Sequence, residues 1–340
     1  MIRLGLIGCG YWGPNYLRNF STLSDAQIVA ACDIDQAKLA LLSTKYPQLK
    51  CTANMMEILE DPNIQGIIIC TPATTHYSVA RAALQQDKHV LVEKPLTTSS
   101  IEAKELLLLA EERKRVLMVG HVFLYNSAIM QIKQYIDNGD LGKILYVYSS
   151  RTGLGPVRSD INVCWDLAPH DISILCYLLN KKPLHVTSNG EWYLKQGNED
   201  VAFNTIEFDQ NLIANIHVSW LDPIKIRKLT LVGTKKMLVF NDILPTEKIK
   251  IFDKGFTYER PLGDFGDFQL SLRDGDILIP KIKITEPLTE QCIDFIACIK
   301  NNKKPKSDGE HGLLVVQVLE AMSASLKSRT TIALNYDKNN

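Results

Sequence analysis

The chain has no CxxC pair, no apolar run of bilayer length, no excess of charge of either sign and no internal repeat. Each absence removes a class of function. Its 340 residues carry 38 basic and 38 acidic side chains, a formal net charge of +0, so no overall field would draw a nucleic-acid polymer or an anionic membrane surface. The N-terminus opens on a strand pattern at Ile2, without a basic segment followed by an apolar core, so neither a secretory leader nor a membrane span is expected. The expected location is cytoplasmic. The eight cysteines, Cys9, Cys32, Cys51, Cys70, Cys164, Cys176, Cys292 and Cys298, are scattered through a long chain, which argues for reduced, mostly buried thiols instead of a disulfide framework.

What is present is an ordinary globular composition, 46% apolar and 22% charged, over a length that suggests two domains. Short apolar runs, "IRLGLIG", "AQIVAACD", "IQGIIICT", "KHVLVEK" and "VLMVGH", alternate with helical patterns over residues 1–121. Buried strands separated by helices predict right-handed crossovers and an α/β, doubly wound parallel sheet. Ser99 and Glu102 have capping-box spacing ahead of "IEAKELLLLAEERKR", which marks a helix start. From residue 122 to 340 the pattern changes to a few helices and many strands, with "VAFNTIEF", "LIANIHVSW" and "KMLVFND" separated by turn residues. This predicts an α+β second domain with an open, mainly antiparallel sheet built from consecutive pairs. A helix is expected to follow Pro169 at "HDISILCYLL".

The first strand runs into Gly8-Cys9-Gly10-Tyr11-Trp12-Gly13, a G-x-G-x-x-G between strand and helix. There the first glycine permits the turn, the second lets backbone approach a pyrophosphate, and the third lets the helix pack closely; Tyr11 and Trp12 flank the same path. Asp33 closes the second apolar run, where a carboxylate accepts hydrogen bonds from ribose hydroxyls and repels a 2′-phosphate. The expected cofactor is NAD. In "IIICTPATTHY", Thr71 and Pro72 end a strand and His76 follows on the next helix, so all three are candidate cofactor contacts at the carboxyl edge of the sheet.

At that same edge "HVLVEKPLTTS" places Glu93 and Lys94 at the end of an apolar strand, with Pro95 restricting Lys94 to extended backbone. A desolvated ammonium there could hold a developing oxyanion, and Glu93 is expected near the nicotinamide ribose. In "CWDLAPHDISIL", Asp166 and His170 are four residues apart, a spacing that puts a carboxylate and an imidazole on one helical face, suited to taking a hydroxyl proton. A capping pair would give the same spacing. Along "RTGLGPVRSDINVCW", Arg151, Arg158 and Trp165 are candidate substrate contacts, as is Asn126 further upstream. The spacing of Glu93, His121, Asp166 and His170 matches no zinc motif, so no metal is expected.

With "GLIGCGYWG", "DID", "TPATTH", "EKPL", "GHVFLYNSAI", "LGKI" and "DLAPHDI" in this order, the chain resembles the glucose-fructose oxidoreductase, inositol dehydrogenase and rhizopine-catabolism (Gfo/Idh/MocA) family. The resemblance runs from Ile2 to the closing "GEHGLLVVQVLEAMSASLKS". It implies a Rossmann domain, a C-terminal domain used for homodimer or homotetramer assembly, a reaction-centre lysine in E-K-P, here Lys94, and a catalytic pair, here Asp166 and His170. Within the family, "GHVFLYNSA" with "WDLAPHD" is most similar to dehydrogenases of UDP-N-acetylglucosamine and its uronate, which oxidise the C3 hydroxyl of nucleotide sugars in polysaccharide biosynthesis. Two alternatives stand beside that expectation: an inositol or simple-sugar dehydrogenase or 3-ketoreductase, and a non-catalytic dinucleotide-binding regulator. Many polyol-oxidising relatives carry an arginine after the "GH" strand, where this chain has Val122-Phe123-Leu124-Tyr125.

Overall fold

A computed structural model describes residues 1–259 and 269–336. The chain divides into two compact units, residues 1–126 with 285–320, and residues 127–284 with 321–340.

The first unit is built on six strands: β1 (Ile2–Ile7), β2 (Ala26–Cys32), β3 (Lys50–Thr52), β4 (Gly66–Ile69), β5 (His89–Val92) and β6 (Leu117–Val119). They are ordered β3-β2-β1-β4-β5-β6, all parallel. Between them run α1 (Gly13–Phe20), α2 (Gln36–Lys45), α3 (Met56–Leu59), α4 (Ala73–Gln85) and α5 (Ser100–Glu112). Sequential strands can be parallel only through such crossovers, so both sheet faces are covered. That explains why Ile67, Ile68, Ile69, Val90, Leu91 and Val92 are all fully buried; each contributes roughly 1.5–3 kcal/mol by leaving water. Ser99 does sit at the N-cap of α5, yet its side chain makes no cap bond. The Ser100 amide instead donates to Glu320 Oε1 at 2.8 Å, so a distant carboxylate meets an end-group demand that the local pattern assigned to a capping box.

The second unit contains α6 (Ser127–Asp137), β7 (Ile144–Thr152), α7 (Val163–Leu179), β8 (His185–Glu191), β9 (Val201–Glu207), β10 (Ile213–Ser219), β11 (Ile226–Gly233), β12 (Met237–Asn241), β13 (Ile249–Glu259) and β14 (Gln269–Leu278). Its sheet is ordered β14-β13-β12-β11-β7-β10-β9-β8-β15, closed by the short β15 (Ile332–Ala333). It is open and mainly antiparallel, as expected from the strand pattern. Consecutive pairing is interrupted where β7 lies between β10 and β11, parallel to the first and antiparallel to the second. β7 is the central strand, and its alternation of exposed Tyr146 and Tyr148 with buried Val147 and Ser149 was passed over among the loop-like residues around it.

Two further helices follow β14, α8 (Pro287–Asn301) and α9 (Gly309–Ser328). The expected boundary lay between residues 121 and 122, whereas the compact first unit also takes in 285–320. The reason is polar as well as apolar. Arg18 and Asn19 of α1 bond Glu286, the side chains of Gln291 and Ser307 both donate to the Val119 carbonyl of β6, and Phe295 is fully buried. Periodicity identifies a helix without stating which sheet it packs on.

Candidate active site

At the carboxyl edge of the parallel sheet the glycines are used by backbone. Gly8 has φ +96° and a Cβ there would lie 2.5 Å from the Cys70 carbonyl carbon, a Cβ on Gly13 would lie 2.5 Å from the Gly8 oxygen, and one on Gly10 would meet nothing within 4 Å. Two glycines thus close the turn while the middle one leaves a cradle open. Pro14 follows in the first turn of α1, where a helix N-terminus favours negative charge. Asp33 at the end of β2 accepts the Cys9 amide at 2.7 Å and the Asp35 amide at 2.9 Å, so its carboxylate is fixed against the glycine turn. Tyr11 is 82% exposed, and Trp12 meets it edge-on with ring centroids 5.5 Å apart. These residues fit NAD: open space over the middle glycine beside a helix N-terminus, with an oriented carboxylate one strand away.

His76 ties two segments of this edge together. Its Nε2 lies 2.9 Å from the Thr71 carbonyl and its Nδ1 lies 2.7 Å from the Pro95 carbonyl. Burial lowers its pKa, which favours the neutral ring. His76 was expected at the cofactor; here it is buried and braces the turn that includes exposed Pro72. Lys94 is half-buried beyond β5, and the peptide between Lys94 and Pro95 is cis. Glu93, expected at the nicotinamide ribose, points inward: its Oε1 accepts the Tyr16 hydroxyl at 2.8 Å and its Oε2 the Lys94 amide at 3.2 Å. Burial raises its pKa to about 6. Asn126 is half-buried and ends a 3-10 turn, Val122–Tyr125, that follows β6.

In the second unit, Asn162 caps α7 by accepting the Trp165 amide at 3.1 Å. The helix therefore starts before Asp166, and Pro169 is inside it instead of opening it. Asp166 and His170 lie one turn apart on the body of this helix, which removes the capping-pair alternative. The Asp166 carboxylate accepts the Trp220 indole N–H at 3.1 Å and sits 3.6 Å from the Arg158 guanidinium. Arg158 also forks onto Asp160 at 3.0 and 2.6 Å. Trp165 donates its indole N–H to Ser323 at 2.8 Å. Arg151, a candidate substrate contact, is buried in an ion pair with equally buried Asp171, 2.7 Å from Nε. Tyr16 and Trp220 were not singled out from sequence. Each is a buried aromatic, and nothing local distinguishes one whose polar atom reaches a carboxylate from one that only packs.

A doubly wound sheet with an open glycine turn, an oriented carboxylate at the end of β2 and a lysine beyond β5 defines a nicotinamide-dependent oxidoreductase. Residues 2–121 match the family model described as oxidoreductase family, NAD-binding Rossmann fold, and residues 129–239 match the GFO/IDH/MocA C-terminal domain. The chain belongs to the Gfo/Idh/MocA oxidoreductase family and is an NAD-dependent dehydrogenase. It is 29% identical over 219 residues to UDP-N-acetylglucosamine 3-dehydrogenase of Acidithiobacillus ferrooxidans, covering 64% of this chain and 67% of that one. It is 21% identical to myo-inositol 2-dehydrogenase of Thermotoga maritima, covering 98% of each. Its fold is similar to that of the WlbA dehydrogenase from Bordetella pertussis in complex with NADH and UDP-GlcNAcA, with a TM-score of 0.81, 20% identity and 99% of each chain covered. Among the described residues no helix is long and apolar enough to cross a membrane.

Proposed function

We propose that this dehydrogenase oxidises a secondary hydroxyl, at C3, of a nucleotide sugar, a UDP-N-acetylhexosamine or its uronate. The observation that carries the reading is the pair of stretches "GHVFLYNSA" and "WDLAPHD", together with the likeness to UDP-N-acetylglucosamine 3-dehydrogenase. The polyol alternative draws on the full-length likeness to myo-inositol 2-dehydrogenase.

In the proposed mechanism His170 takes the hydroxyl proton and Asp166 holds the imidazole ready for it. Trp220 and Arg158 fix the Asp166 carboxylate from two directions. Lys94 donates to the same substrate oxygen and stabilises the negative charge that builds on it as the C–H bond breaks. NAD, when bound, accepts the hydride at its nicotinamide ring. Gly8, Gly10, Gly13, Tyr11 and Trp12 hold the dinucleotide, Asp33 takes the adenosine ribose, and Thr71, Pro72 and His76 shape the strand-end wall beside it. Arg158 and Asn126 are candidates for the nucleotide-sugar phosphates and sugar. Arg151 acts on the site through Asp171 and α7, and Trp165 through its anchor on Ser323.

The protein is further proposed to self-associate through the second sheet, where Tyr146, Tyr148, Phe203 and Ile213 lie exposed on one face; exposed large apolar side chains on one face suit an isologous contact. Incubating the protein with NAD and either UDP-N-acetylglucosamine, its uronate or free myo-inositol tests the substrate reading. Reduction of NAD with a UDP-sugar supports it; reduction with the polyol alone overturns it.

A further inference from the structure

The Glu93 carboxylate is buried at the one point where the cofactor helix, the lysine strand and β6 meet. Tyr16 reaches it from α1, one turn after Gly13, donating to Oε1 at 2.8 Å. The Lys94 amide donates to Oε2 at 3.2 Å, so each oxygen has a partner on a different element. On the third side Gly120 closes in: a Cβ there would lie 3.0 Å from both the Glu93 carboxyl carbon and Oε2. A larger residue at 120 would crowd the carboxylate. Its hydrogen bonds run to α1, the helix that follows the glycine turn, and to the backbone of Lys94.

We propose that Tyr16 and Glu93 are positioning residues for the reaction, a buried hydroxyl–carboxylate pair that sets the Lys94 backbone against helix α1. The inference deepens the proposed function and rests on the role given there to Lys94. Glu93 touches neither sugar nor nicotinamide and acts through Lys94. The groups facing it are Tyr16 from α1, Lys94 beside it, Cys70 beyond β4 and Cys292 of α8, with His121 following Gly120 beyond β6. Of these, only Lys94 brings positive charge at neutral pH. Desolvation raises the Glu93 pKa to about 6, and the Tyr16 hydroxyl and Lys94 work against that rise. Ionised Glu93 anchors the Lys94 amide; protonated below about pH 6, it becomes a weaker acceptor and its hold on Lys94 slackens.

The test compares the full-length wild type with Tyr16→Phe and Glu93→Gln. Tyr16→Phe removes one hydrogen bond to a charged group, so NAD affinity should stay within about threefold while kcat falls roughly tenfold or more. The acid limb of its kcat profile should move to higher pH, because a group that favoured the ionised carboxylate is gone. Glu93→Gln cannot titrate, so adding Tyr16→Phe to it should leave the acid limb, which then reports only the general base, unmoved. A second readout needs no sugar: the pH dependence with which an amine-reactive reagent acylates Lys94, followed by peptide mass spectrometry, should differ from wild type in Tyr16→Phe. If no sugar is turned over, the proposed substrate fails while this labelling arm still decides the positioning role. Wild-type kcat and acid limb in Tyr16→Phe, an acid limb that moves when Tyr16→Phe is added to Glu93→Gln, or unchanged Lys94 labelling would each overturn the inference.

Discussion

The two sheets solve opposite problems. In the first, every strand is parallel, β4 and β6 are buried throughout, and what the edge offers beside Asp33 and Lys94 is backbone, a glycine turn at the start of a helix. In the second, one face carries exposed Tyr146, Tyr148, Phe203 and Ile213 among polar residues while α7 packs on the sheet, and what this unit offers is side chains: Asp166 bonded by Trp220 beside Arg158, and His170 one turn on. Backbone recognition suits the dinucleotide of an NAD-binding family, because it depends on shape. Side-chain recognition can be altered one residue at a time, which fits a family whose named relatives act on inositols and on nucleotide sugars.

If this division holds, substitutions in the second unit should alter turnover without touching NAD affinity. The largest effect is expected for His170→Ala, with kcat down about 10²–10⁴-fold and the NAD dissociation constant unchanged. Lys94→Ala should lose a comparable factor. Stopped-flow reduction of NAD at saturating sugar measures both, and near-normal turnover in either would remove that residue from the proposed mechanism. Next in size is Arg151→Ala, which strands buried Asp171 without its partner. A loss of about 3–5 kcal/mol is expected on chemical denaturation, whereas Arg151→Met with Asp171→Leu should recover most of it. A stability unaffected by Arg151→Ala would mean that the pair is not buried as described. Smallest is Asp33→Asn. The amide oxygen still accepts one backbone N–H, but the negative charge facing the ribose is lost, so NAD binding should weaken roughly tenfold with kcat preserved. An equal fall in kcat would break the separation between the two units' roles.

How much of this was legible in sequence follows the same line. Strands buried on both faces read as solid runs such as "GIII" and "HVLV", and right-handed crossovers order them with few alternatives. The mixed sheet was less readable. Its central strand β7 begins in a Gly-Lys turn and ends in a loop, and its place between β10 and β11 depends on long-range pairing that no local pattern encodes. The start of α7 was misplaced because Pro169 is a strong signal for a helix start, while Asn162, the residue that caps it, sits inside a polar stretch. At the site, the glycines, Asp33 and Lys94 were visible because motif and strand end coincide. Tyr16, Trp220 and Glu320 were not, since each serves a partner from 54 to 220 residues away. Such groups satisfy buried polar atoms through tertiary structure alone.

The central claim is that this NAD-dependent dehydrogenase acts on a nucleotide sugar. The most direct measurement is reduced-nicotinamide absorbance with NAD and a panel of UDP-N-acetylhexosamines and their uronates set against free inositols and simple sugars. The account predicts NAD reduction with a UDP-sugar and a 3-keto product by mass spectrometry after borodeuteride trapping; reduction with an inositol or a free sugar, and none with any UDP-sugar, would contradict it.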